Sequence, residues 1–124
     1  AEFIGESNII SGIMHRDYSA EFSGRHFKCV DKGFAEMEPV DVVIRPEDII
    51  IESPSDENIQ GTVESVIFKG VHYEMILDSG GTKWTVHSTV ALNPGEVAGM
   101  NVWPENIHIM KKSEEKKERE KDDI

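Results

Sequence analysis

Arg45-Pro46-Glu47-Asp48-Ile49-Ile50-Ile51 returns near the other end of the chain as Trp103-Pro104-Glu105-Asn106-Ile107-His108-Ile109. The proline, the glutamate and two alternating isoleucines match, and each copy follows an apolar run, Val40 to Ile44 in one case and Asn101 to Trp103 in the other. Each half also opens alike, with Asn8-Ile9 ahead of Gly12 and Asn58-Ile59 ahead of Gly61. Self-similarity of this kind implies two related structural units. In each copy the proline ends a strand, because it has no N–H to give a central ladder. The isoleucine pair, at a period of two, then points one face of a short strand into the core. The glutamate after the proline stands where it could accept from free backbone donors at the corner. Arg45, Pro46, Glu47, Pro104 and Glu105 are therefore read first as structural corners, since a duplicated corner explains a repeat better than a duplicated active site.

Working outward, short runs of β-branched and aromatic residues alternate with Gly, Pro, Asn and Asp, and helical periodicity is nearly absent before the tail. The predicted class is all-β. Candidate strands are 9–16, 18–22, 26–30, 40–45 and 49–51, then 61–68, 72–77, 83–87, 100–103 and 107–110. Ser23-Gly24, Lys69-Gly70 and Ser79-Gly80-Gly81 offer the positive backbone angles of tight hairpins, so three hairpins are expected. Residues 53–60, with Ser53, Pro54 and Ser55, have the composition of a linker. The expected organisation is a junction over 1–8, a first β unit over 9–52, that linker, a second β unit over 61–110, and a charged tail over 111–124, frayed or disordered because it lacks an apolar stripe.

The chain has 124 residues, with 24 acidic and 13 basic side chains and a net charge of −11. The tail from Lys111 is balanced, so the body carries the excess negative charge. Such a body repels phosphate backbones and anionic lipid, which sets nucleic acid aside as a partner. Cys29 is the only cysteine, which excludes an intrachain disulfide and a thiolate-only metal site; it reads as a small buried hydrophobe in a reducing compartment. No apolar run reaches the roughly 18 residues of a membrane span, so direct insertion is not expected. His15, His26, His72, His87 and His108 are scattered with no zinc-ligand spacing, and no metal site is expected from them. His87 and Ser88 are neighbours on a strand, where successive side chains face opposite ways, so no catalytic triad is expected either.

Phe3-Ile4-Gly5-Glu6-Ser7-Asn8, then a β unit ending in Val43-Ile44-Arg45-Pro46-Glu47-Asp48-Ile49, then a second unit opening at Gly61, resembles the C-terminal domain of the ATP-binding subunits of spermidine/putrescine-type ABC importers, the transport-associated OB domain. Phe3, Gly5, Glu6 and Asn8 carry the junction part of that resemblance, which runs over roughly residues 3 to 110. It implies an OB-like barrel of the duplicated molybdate-binding-module type, serving regulation and dimerisation of the ATPase subunits at the cytoplasmic face of the membrane. The implied partners are a second copy of the subunit and, through an ATPase domain preceding this chain, the membrane permease subunits. ATP and Mg would belong to that other domain. This chain has no G-x-x-x-x-G-K-[ST] loop, so no catalytic residue, cofactor or enzymatic activity is expected of it alone.

Within that resemblance, Phe68, Tyr73, Trp84 and Trp103 are candidate interface anchors, set against the plain reading that they are core residues. Glu36, Glu38, Asp41, Glu47 and Asp48 are candidate polyamine-facing acids, set against a solvated acidic face. The alternative function is a freestanding small-ligand module of the same barrel class. For an oxyanion ligand, the absence of a basic residue before Asn8 and Asn58 is unfavourable: Ser7 and Glu57 stand there.

Overall fold

The computed structural model describes residues 7 to 112. Its elements are ten strands and two three-residue 3-10 turns among the described residues, so the all-β expectation holds. The junction residues Phe3, Gly5 and Glu6 and most of the charged tail lie outside the described residues.

Two compact units emerge, and each is assembled from separate chain segments rather than from the contiguous 9–52 and 61–110 that the sequence suggests. Among the described residues, the first comprises 7–8 with Ile44–Trp103, the second Ile9–Val43 with 104–112. The reason is strand exchange at the repeated corners. In the second unit, apart from the strand-end residues Asn8 and Ile44, β1 (Asn8–Arg16), β2 (Ser19–Phe22), β3 (Arg25–Lys28), β4 (Glu38–Ile44) and β10 (His108–Lys111) form a sheet in the order β10-β4-β1-β2-β3. In the first unit β5 (Ile50–Glu52), β6 (Ile59–Phe68), β7 (Tyr73–Ser79), β8 (Thr82–Ser88) and β9 (Val97–Asn101) form a sheet in the order β5-β9-β6-β7-β8. The strand after Pro46 thus pairs with the second repeat, Ile51 against Met100. The strand after Pro104 returns to the first repeat, Ile109 against Val42.

Each corner is a single 3-10 turn, Pro46–Asp48 and Pro104–Asn106, closed by its own backbone: Asp48 N–H donates to the Arg45 carbonyl at 3.0 Å and Ile107 N–H to the Pro104 carbonyl at 3.2 Å. That closure corrects the expected role of the glutamates, because Glu47 and Glu105 are exposed and the turn satisfies itself. Proline suits the first turn, where its missing N–H is not needed. Ile49 and Ile107, the first isoleucine of each pair, are buried just before the exchanged strands begin.

The three expected hairpins are present. Ser23 and Gly24 (φ 53 and 76) join Phe22 directly to Arg25, and Gly80 and Gly81 (φ 58 and 94) join Ser79 to Thr82. Positive φ at both positions matches the right-handed twist of the flanking strands. Tyr18, expected to begin a strand, instead lies in the β1–β2 turn at φ 67, where its N–H donates to Asp31 and its carbonyl accepts from Cys29. In the first unit the buried side chains include Ile44, Val63, Met75, Leu77, Trp84 and Met100; in the second, Met14, Ala20, Phe22, Val40, Val42 and Ile107. Val40 to Ile44 are buried without a break, so both faces of β4 are covered.

Candidate functional site

Asn8 and Asn58, which open the two repeats, are 6% and 4% exposed and both belong to the first unit. The Asn8 amide donates to the carbonyls of Ile44 (3.3 Å) and Thr85 (2.8 Å), and its oxygen accepts the Thr85 N–H at 2.7 Å. The Asn58 amide donates to Glu52 Oε2 (2.8 Å) and the Ser53 carbonyl (2.9 Å), while its oxygen accepts the Ser55 N–H at 3.1 Å. Both side chains are spent on internal partners, backbone for Asn8 and backbone plus the Glu52 carboxylate for Asn58, as a buried amide must be. Gly99 leaves the room for Asn58: a Cβ there would fall 2.5 Å from the Asn58 Cγ.

The four interface candidates separate. Trp84 is 1% exposed, so it has no surface to give a partner and takes the core role. Phe68 and Trp103 are 60% and 61% exposed, and Tyr73 is half-buried with its ring 5.1 Å from that of Phe68. Ile67 and Val71, unforeseen in the sequence, are exposed on the same β6–β7 hairpin. The five acids also separate. Glu47 and Asp48 belong to the first unit and Glu36, Glu38 and Asp41 to the second. Asp41 is buried and receives Lys112 Nζ at 2.6 Å, Glu38 accepts the Ala35 N–H at 2.9 Å, and Asp48 lies 3.4 Å from Arg45 Nε. Glu36 is exposed.

Glu47 lines a depression of about 580 Å³ in the first unit together with His72, His87, Ser88 and Thr89. The two imidazoles stack at 4.3 Å, and His87 Nε2 meets Glu74 Oε1 at 3.2 Å. His87 and Ser88 both line the depression, Ser88 as the last residue of β8. The Ser88 hydroxyl accepts the Val90 N–H at 3.0 Å. No Lys or Arg occurs among the described lining residues, so the walls offer carboxylate, imidazole and hydroxyl groups that accept from a cationic amine.

The histidines are not scattered, as their sequence spacing suggests; two pairs form. Besides His72 and His87, His15 and His26 meet in the second unit with ring centroids 4.5 Å apart. Glu21 joins them: His15 Nε2 is 2.6 Å and His26 Nε2 3.7 Å from Glu21 Oε1, and the two nitrogens are 3.2 Å apart. The hydrogen bond to His15 lowers the Glu21 carboxyl from its ordinary value, against the opposing effect of desolvation. Elsewhere in that unit Cys29 is buried as expected, and burial pushes its thiol up. The signal for the histidine pairing lay in the Ser23-Gly24 turn, whose two-residue length sets Glu21 opposite His26.

Comparison with known proteins identifies the architecture. The TOBE domain model matches residues 42–110. The spermidine/putrescine import ATP-binding protein PotA of Acetivibrio thermocellus is 56% identical over 114 residues, which cover 92% of this chain and 32% of that protein. PotA of Clostridium novyi is 54% identical over 112 residues, covering 90% and 32%. The chain therefore spans about a third of the length of these relatives. The cytoplasmic molybdate-binding protein ModG, in a crystal form with molybdate bound, superposes with a TM-score of 0.70 at 19% identity, covering 84% of this chain and 95% of that one. That likeness is one of fold, and it meets the expectation of an OB-like fold of the duplicated molybdate-binding-module type. With more than half of its length matched by the family model, the chain belongs to the TOBE-domain family.

Proposed function

We propose that this chain is the C-terminal regulatory and dimerisation domain of the ATP-binding subunit of an ABC importer for polyamines such as spermidine and putrescine. The observation that carries the reading is the 56% identity over 92% of the chain to a third of PotA. In this reading ATP and Mg are held by the ATPase domain, the permease subunits are met through that domain, and the protein works at the cytoplasmic face of the membrane. The present chain supplies contact rather than bond-making. Joining a self-associating domain to each ATPase raises the local concentration of its twin and keeps the pair together when ATP has left. The β6–β7 hairpin, with Ile67 (52% exposed), Phe68 and Val71 (82% exposed), supports it, since exposed apolar side chains that include an aromatic anchor suit a protein interface.

The direct test compares the complete ATP-binding subunit with one ended before Phe3, each assembled with its permease. The proposal expects the shortened subunit to retain nucleotide hydrolysis while losing pairing in the absence of ATP and its normal dependence on transported polyamine. Identical pairing and regulation in the two forms would contradict it.

A second reading, a small-ligand module, is favoured by the depression around Glu47. Its walls suit a polyamine better than an oxyanion, because a carboxylate repels molybdate or sulfate. Titration calorimetry with spermidine and with molybdate, at low and moderate salt, separates the cases. Heat with spermidine that persists in salt and disappears in Glu47→Gln supports a polyamine site; heat that vanishes with salt leaves only a screened acidic surface.

A further inference from the structure

We propose that His15, Glu21 and His26 form a binding site for a divalent transition cation, zinc before others, held by two imidazole Nε2 atoms and one carboxylate oxygen. The three side chains come from three adjacent strands, β1, β2 and β3. Their potential ligand atoms all lie within 4.8 Å of one another. Zinc bonds of about 2.0–2.1 Å in tetrahedral geometry place neighbouring ligand atoms roughly 3.3 Å apart. The two nitrogens are already 3.2 Å apart, and the distances of 2.6 and 3.7 Å from Glu21 Oε1 bracket that value. A small slide of the Glu21 carboxylate away from His15 and toward His26 evens the triangle.

Proton counting favours a cation as well. An imidazole nitrogen carries in its ring plane either one hydrogen or one lone pair. His15 Nε2 faces two partners, Glu21 Oε1 and His26 Nε2. A hydrogen on it serves the carboxylate; a lone pair on it accepts from His26 but then opposes the carboxylate oxygen. One metal ion accepts a lone pair from all three atoms together.

The backbone brings this about through two devices. The tight turn at Ser23-Gly24 sets Glu21 against His26, and the β1–β2 register shifts between Met14 and Arg16, so that His15 falls at an irregularity in the ladder. Bulges of this type re-aim single side chains and are enriched beside functional sites. The side chains are 25%, 37% and 64% exposed in the order His15, Glu21 and His26, so water can complete the coordination and the ion can enter without opening the fold. Two imidazoles select zinc, nickel or copper over magnesium and calcium, which prefer all-oxygen shells.

Zinc chloride titrated into the chelator-treated protein, followed by calorimetry, with cobalt as a visible-absorption probe, tests the site. One saturable equivalent is expected, unaffected by excess magnesium and lost in both His15→Ala and His26→Ala; Glu21→Gln should weaken it by about tenfold or more. Circular dichroism of each variant confirms that the surface replacements leave the strands intact, and His72→Ala/His87→Ala should bind zinc as the parent does. Absence of saturable binding, binding unchanged in the His15 and His26 variants, or loss only in the His72/His87 variant would overturn the assignment.

Discussion

Asn8 shows how a residue that looks like part of a family signature acts as a structural bolt. Its three hydrogen bonds fix the backbone at Ile44 and Thr85, and Asn8→Ala leaves those buried groups unpaired at a cost of about 1–3 kcal/mol. The urea midpoint should fall accordingly; an unchanged midpoint would show the bonds to be incidental. The two tryptophans give a second expectation. Trp84 is enclosed and Trp103 is exposed, so iodide should quench the emission of the parent only in part, and Trp103→Phe should leave a blue-shifted emission resistant to it. Quenching that persists in Trp103→Phe would place Trp84 at the surface. Glu21 gives a third. Its folded carboxyl is lowered from the ordinary glutamate value by the His15 hydrogen bond, so in acid the unfolded chain binds the proton first. The contribution to stability is thus present above the ordinary glutamate value and lost as pH falls through the lowered folded one. Thermal melts in chelator-containing buffer should show Glu21→Gln losing this acid limb, and a parent-like pH profile in that variant would contradict the assignment. None of these roles was separable by residue type: a tryptophan pattern serves core and surface alike, and the sequence spacing of His15 and His26 conceals a contact that a two-residue turn and a register shift produce.

At the scale of elements, the ten strands were legible because alternation and glycine turns are local signals, and the segments read from sequence fall within a few residues of the observed ones. The exchange of β5 and β10 was not legible. Pairing partners are chosen between distant segments, and a corner of three residues does not record which sheet its strand joins. Once seen, the exchange explains why the repeat is strongest around Pro46 and Pro104: both corners must redirect the chain by the same turn and bury the same isoleucine. Ile49→Ala and Ile107→Ala should therefore cost similar amounts, about 2–5 kcal/mol each. Hydrogen exchange should show the loss spreading to β9 in the first case and β4 in the second, the strands that β5 and β10 pair with. Protection lost only in β5 or β10 itself would argue that the exchanged pairings carry little of the stability.

For the whole molecule, family membership follows from the TOBE match, while pairing is a proposal argued from the surface and from the likeness to the relatives. A chain with net charge −11 resists nonspecific association, so any self-association must come from a patch where apolar contact outweighs repulsion. The β6–β7 hairpin is the surface proposed for it. Sedimentation velocity across a concentration series, for the parent and for Phe68→Ala, examines this most directly. A reversible monomer–dimer equilibrium that strengthens as salt screens the charge, and that shifts toward monomer in Phe68→Ala, is the expected result; a single monomeric boundary at every concentration and salt would contradict a domain whose work is contact.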